Sequence, residues 1–249
     1  MNIKKYKIAS FEHFISILNH NNNDTIRLFR GQKEDLPLYS KLYRNAIKFG
    51  KTNDVYKIEK KILSELKERI INDESNNLRD LDLMILAQHY GLPTRLLDWT
   101  SNPFVALWFA FELSKPDDDS RVVWGLKIEP DSLLDFQNES PFNIRFVKVF
   151  RPPVIDIRIL AQKSWFSIQD IQFFERGGDG LPNLHTNNPI EDNEDFDFYL
   201  AKFIFPNTIR PEVLKKLAEK GVTRSSIYPD LSEICEQLMP SEFQHKKHA

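Results

Sequence analysis

The sequence predicts an α+β chain, a mixed and mostly antiparallel sheet packed with helices. Three observations carry that expectation. In the first half, apolar residues recur at helical spacing, as in Val55, Ile58, Ile62, Leu66 and Ile70. In the second half, short β-rich runs bounded by turn residues dominate. Between the halves, Pro103 to Phe111 is apolar on nearly every side, which predicts a helix buried at the centre.

Taken in order, Ser10 caps a helix carrying Phe11, Phe14, Ile15 and Leu18, which ends in the polar run Asn19 to Asp24. Thr25 to Phe29 reads as a strand that leads into Arg30-Gly31-Gln32 and delivers the arginine at its exit, on a sheet edge. Val55 to Ile70 reads as an amphipathic helix packed on the sheet, with lysines and glutamates outward and no chemistry assigned to it. A second helix runs from about Arg79 to Tyr90 and stops at Gly91, with Pro93 beyond. Pro103 suits the first turn of the central helix, with Ser101 or Asn102 as cap. Val122 to Ile128, Ile155 to Ala161, Trp165 to Ile168 and Tyr199 to Phe205 are expected strands. Gly177 to Asn188 and the acidic stretch Glu191 to Asp197 form a long loop, and Val213 to Leu217 and Ser232 to Leu238 supply closing helices. No repeat or linker divides the chain, so one domain over residues 1–249 is expected, with a core of about 10–234 and a frayed tail at 240–249.

Composition bounds the function. The 249 residues suffice for a sizeable core, and 41% hydrophobic with 28% charged residues is an ordinary globular balance. A net charge of −2 supplies no global pull toward nucleic acid or an anionic membrane. Cys235 is the single cysteine and sits in an apolar-periodic segment, which suits a buried thiol and leaves no basis for a structural zinc site. No metal is expected. Neither a signal peptide nor an apolar run of membrane-spanning length is present, so a cytoplasmic chain with no membrane association is expected.

The candidate chemistry falls in three places. Arg30 offers a planar fork suited to phosphate or carboxylate, beside a glycine that lets a ligand approach the backbone, although an ordinary surface arginine near a turn has the same local sequence. His89 to Ser101 is denser. It places an imidazole at a helix C-terminus, where the helix dipole favours the charged ring, followed by Arg95, Asp98, Trp99, Thr100 and Ser101 in one connecting segment. These groups either satisfy one another, for instance as a buried Arg95–Asp98 pair with a core Trp99, or face a ligand. Third, on a strand Arg158, Leu160 and Gln162 would share one face.

Phe29-Arg30-Gly31-Gln32, the block from Gln88 to Thr100, Pro103 to Ala110 and Arg158-Ile159-Leu160-Ala161-Gln162 resemble the motif set of the FRG domain family. Ile227-Tyr228-Pro229-Asp230-Leu231 is similar to that family's closing motif. The family commonly has Gln-x-Gly-x-Phe where this chain has Gln162-Lys163-Ser164-Trp165-Phe166. The resemblance implies a bacterial or phage-borne protein acting in toxicity or phage defence.

A weaker similarity is to ADP-ribosyltransferases. Phe29-Arg30-Gly31, then Thr100-Ser101, then Ala106 to Ala110 follow the order of that superfamily's arginine strand, hydroxyl-bearing strand and helix. It implies NAD as co-substrate, held by Arg30 with Gly31, Gln32, His89 and Arg95, with nicotinamide stacked on Trp99 or Tyr90. Gln162 would stand where that superfamily has a catalytic glutamate, and Asp98 or Glu175 would supply the acid. The acceptor would be a protein or a nucleic acid. Two other classes stay open: a nucleic-acid-directed protein using Arg30, Arg95, Arg151 and Arg158, and a non-enzymatic interaction or sensor module.

Overall fold

The computed structural model describes residues 3–20, 26–70, 78–112, 120–127, 133–144, 147–154, 157–169, 189–192 and 200–230. The strands are β1 (Lys4–Lys7), β2 (Ile26–Gln32), β3 (Leu96–Thr100), β4 (Ser120–Lys127), β5 (Lys148–Phe150), β6 (Ser164–Ile168) and β7 (Leu200–Pro206). The helices are α1 (Phe11–His20), α2 (Lys41–Lys48), α3 (Val55–Arg69), α4 (Asp80–His89), α5 (Pro103–Phe111), α6 (Ile157–Ala161), α7 (Arg210–Glu219) and α8 (Arg224–Ile227). All seven strands belong to one sheet in the order β1-β7-β4-β2-β3-β6-β5. Every pairing is antiparallel except β1 with β7, so the sheet is mixed and mostly antiparallel, as expected.

Alternation along the strands gives the sheet two apolar faces. One buries Phe29, Val123, Phe203 and Phe205 against α1, α5 and α7. The other gathers Leu28, Leu97, Trp99, Val122, Trp124 and Leu126 under Leu38 and Ile190. Toward the β6–β5 side, α3 and α4 cover Leu96, Phe150, Phe166 and Ile168. The central helix is α5, capped by Asn102, whose side chain accepts from the Phe104 amide. It lies so close to β2 that a Cβ on Gly31 would stand 1.9 Å from the Ala106 carbonyl oxygen. Gly31 is therefore required by helix–strand packing.

Four expectations change. Arg30 lies inside β2 and pairs with Trp124 of β4, at the middle of the sheet rather than at a strand exit on its edge. Leu96 to Thr100 is a strand and not a connecting segment. Arg158 to Ala161 is helical, because five residues of alternating Ile, Arg and Leu fit either period. That helix closes with the Gln162 amide donating to the Arg158 carbonyl at 2.8 Å, and the turn into β6 is made by Lys163 at φ 47°. Lastly, the most buried line of α3 is Val55, Glu59 and Leu63, rotated slightly from the aliphatic face read in the sequence, whose Ile58, Leu66 and Ile70 still pack partly buried on the core. Residues 170–188, 193–199 and 231–249 lie outside the described residues, and with them most of the expected loop, the second closing helix, Cys235 and the tail. No helix of the described residues is long and apolar enough to cross a membrane.

The rotation of α3 gives Glu59 its place. One of its carboxylate oxygens accepts the Arg95 amide at 3.0 Å, and the other lies 2.9 Å from Arg95 Nε. Arg95 is 2% exposed, donates to the Gln169 carbonyl at 3.2 Å and stacks over Phe142 at 5.1 Å. Burial pushes the Glu59 carboxyl up, while Arg95 draws it back down. Removing one member leaves a buried charge uncompensated, so Glu59→Ala is expected to cost about 3–5 kcal/mol in chemical denaturation. Gly31→Ala is expected to cost about 3 kcal/mol or more by the same measurement, since the clash is with backbone.

Candidate functional site

The two central strands β2 and β3 share a single register pair, Phe29 with Thr100. On its other side β2 stays in register with β4 as far as Gln32. Beyond Phe29, therefore, β2 and β3 part, and a cavity of about 400 Å³ opens there. Its lining includes Arg30, Gln88, His89, Asp98, Arg158, Gln162 and Tyr228, from four helices and strands and the segments between them. The volume is in the range of small-molecule sites.

Arg30 fills the parting. Its Nη1 donates to the Asp98 carbonyl at 2.8 Å and stands 3.6 Å from the Asp98 carboxylate. Its Nε is buried and has no hydrogen-bond partner among the described residues. Burial draws the Arg30 guanidinium below its ordinary range, the Asp98 charge opposes this, and Arg44 of α2 adds to it. The group nonetheless remains a cation at any physiological pH.

Asp98 is 58% exposed and is held from α4. The Gln88 amide nitrogen lies 3.1 Å from each carboxylate oxygen. The amide oxygen of Gln88 accepts from the Thr94 hydroxyl, which fixes the orientation of the amide. Next along α4, His89 Nε2 is 2.5 Å from an Arg158 nitrogen. A guanidinium only donates, so Nε2 accepts, and the ring in this contact carries its proton on Nδ1.

Gln162 spans two elements. Its carbonyl accepts from the Thr100 hydroxyl at 2.6 Å, and its side-chain amide donates to the Ile227 carbonyl at 3.2 Å. Tyr228 follows directly, with its ring edge-on to Trp108 at 5.8 Å and to Phe109 at 6.3 Å. Burial raises the Tyr228 phenol above its usual range, so it stays protonated at neutral pH.

Of the residues singled out in the sequence, Arg30, Gly31, His89, Asp98, Thr100 and Gln162 border this cleft. Others do not face it. Trp99 touches it, but the indole is 3% exposed and packs among Leu28, Trp124 and Leu126, where Nε1 donates to the Ser167 hydroxyl at 2.9 Å. Gln32 accepts from Trp124 Nε1 at 2.9 Å and is not part of the lining. Tyr90 is 76% exposed and stands edge-on to His89 outside the cleft. Ser101 is exposed and donates its amide to the Lys163 carbonyl at 3.1 Å. Arg95 is committed to Glu59, so the alternative Arg95–Asp98 pair is replaced as well. Glu175 lies outside the described residues. Sequence reasoning missed Gln88, Phe109 and Tyr228 as site residues, and named Arg158 both beside Gln162 and among possible phosphate-binding arginines. Gln88 and Tyr228 stand within motifs quoted above, and the signal was there.

Among the described residues, no group of three or more His, Cys, Asp or Glu is placed to hold a metal ion. The model of the FRG domain matches residues 25–119, from the start of β2 to just past α5. No curated protein and no solved structure matches the chain. Within the matched stretch, Trp99 offers a clean check on which side chains face the cleft. Trp99→Phe is expected to lower stability by about 1–2 kcal/mol through its lost hydrogen bond, with binding of any cleft ligand unchanged. Denaturation alongside a ligand titration measures both.

Proposed function

We propose that this FRG-domain chain is an enzyme resembling an ADP-ribosyltransferase, binding NAD between β2 and β3 and passing ADP-ribose to a protein or nucleic-acid acceptor. The observation that carries this reading is Arg30, a largely buried guanidinium whose Nε has no hydrogen-bond partner among the described residues, at the point where two central strands part. A fork of donors with one buried member suits a phosphate, because charge-assisted bonds are the strong ones and a planar fork matches the anion's oxygens. Arg44 and Arg158 add positive charge around the same space.

In the reaction, the bond between nicotinamide nitrogen and ribose C1 breaks, and its electron pair leaves with nicotinamide. The acceptor's lone pair forms the new bond to C1, and the acceptor's proton passes to a base. Asp98 is the one carboxylate bordering the cleft among the described residues, and Gln88 and Arg30 hold it in place. It stabilises the positive charge that builds on the ribose, or takes the acceptor's proton. Glu175 is the alternative acid. A role in toxicity or phage defence comes with the family resemblance and is proposed with it.

One observation favours a second reading, a non-enzymatic interaction or sensor module. Asp98 is engaged by Gln88 and Arg30, and Gln162 by Ile227, so much of the polar cluster is satisfied within the chain. Titration calorimetry separates the two. The wild type is expected to bind NAD. Arg30→Lys keeps a charge but loses the fork, and is expected to bind about 10–100-fold more weakly. Asp98→Asn is expected to keep NAD binding within a few-fold while abolishing nicotinamide release. A wild type that binds no NAD removes the enzyme reading.

A further inference from the structure

The cleft has a wall that residues 25–119 do not supply. Tyr228 follows α8, which spans only four residues, Arg224 to Ile227, and is closed by a capping box of Thr223 and Ser226. A single turn of this kind does not persist by itself, because helix nucleation is unfavourable. Its position must come from tertiary anchors: Ile227 is buried in the core with α5, Arg224 reaches Glu112 at 2.8 Å and lies over the Tyr228 ring at 6.0 Å, and two further contacts bear on Tyr228 and the residue before it. From behind, the Tyr228 ring rests edge-on against Trp108 and Phe109 of the buried helix α5, at 5.8 and 6.3 Å. From the side, the Gln162 amide donates to the Ile227 carbonyl at 3.2 Å, while the Gln162 carbonyl accepts from Thr100 at 2.6 Å. A line of hydrogen bonds thus runs from β3, through Gln162, to the residue before Tyr228. The tyrosine borders the cleft and keeps 41% of its surface exposed. Beyond its burial, the charges of Glu112 and Arg224 act most on its phenol, followed by those of Arg158 and Asp98.

A large aromatic, backed by other rings and left open toward a cavity with an arginine at its floor, has two complementary partners in one ligand. The arginine takes an anion and the ring takes a flat π-system, since stacking tolerates any planar base. We infer that Tyr228 is the ring-binding wall of this cleft and that Gln162 is its positioning residue, so the ligand is a phosphate carrying a planar heteroaromatic group. The inference rests on the proposed nucleotide-binding reading and names the feature by which the cleft selects among phosphates. It also reassigns Gln162, which acts through Tyr228 and not on the reacting atoms.

The test is a calorimetric panel of NAD, AMP and ribose 5-phosphate on the whole chain. The wild type is expected to prefer the two ring-bearing ligands. Tyr228→Ala and Gln162→Ala are expected to weaken those two by on the order of tenfold or more, with ribose 5-phosphate unchanged. Tyr228→Phe keeps the preference, and the double variant loses no more than Tyr228→Ala alone, because the two residues act in one line. Tyr228→Leu, which retains apolar contact with Trp108 and Phe109, asks the same question should the alanine variant fail to fold. A Tyr228 variant with its ring preference intact, or one that weakens all three ligands equally, overturns the inference. NAD binding with a preference indifferent to Tyr228 overturns the wall alone. AMP binding that depends on Tyr228, with no NAD binding, overturns the proposed enzyme and keeps the wall. A wild type that binds none of the three overturns both.

Discussion

Two central strands that stay paired for one residue and then part leave main-chain groups in search of partners. Here a side chain answers. Arg30 reaches from β2 to the carbonyl of Asp98 on β3 and takes the place that a ladder hydrogen bond would hold. Among the described residues the same guanidinium keeps one donor unfilled, and it lies beside the Asp98 carboxylate. Fold and site therefore depend on one residue, since the group that closes the gap in the sheet also forms the floor of the cleft. Buried donors without partners are uncommon in folded chains, which makes an open Nε beside a cavity a physical reason to expect a ligand.

The parting is maintained by what lies on either side. Behind β2, α5 is seated directly on Gly31 and prevents the strand from shifting toward the helix layer. Beside β3, the Glu59–Arg95 pair ties the start of the strand to α3 with almost no solvent exposure. Interiors are packed too densely for such elements to drift, so the gap has a fixed width. Gln88 extends this order to Asp98. Its amide is oriented by Thr94, and its two short contacts hold an otherwise exposed carboxylate facing the arginine. Without that brace, a 58% exposed aspartate would sample several rotamers.

The cleft draws on the whole length of the chain. Arg30, Gln88, His89 and Asp98 come from the stretch that matches the FRG domain, while Arg158, Gln162 and Tyr228 come after it. Long-range sheet pairing makes this possible: β6 runs beside β3 and so brings α6 and Gln162 to the mouth of the gap. The helices α7 and α8 follow β7 and return the chain to α5, which sets Tyr228 opposite.

The sequence by itself determined the elements whose signal is local and long enough to be periodic. The helix ending at Gly91, the apolar central helix with Pro103 in its first turn and the strand bearing Phe29 were all readable, because capping, proline geometry and periodicity act within a few residues. It also indicated that Arg30, His89, Asp98 and Gln162 matter together, since so many polar groups among leucines had to find partners or a ligand. What only the tertiary structure decided was which way each of them faces and with whom it pairs. A five-residue run such as Ile157 to Ala161 fits strand and helix alike. The direction of Trp99 follows from the pleat of β3 in its sheet, and the partner of Arg95 is a glutamate 36 residues away on a helix whose outward face looked charged. These outcomes depend on contacts between residues distant in sequence, and no local pattern encodes the register and layer order that bring such residues together.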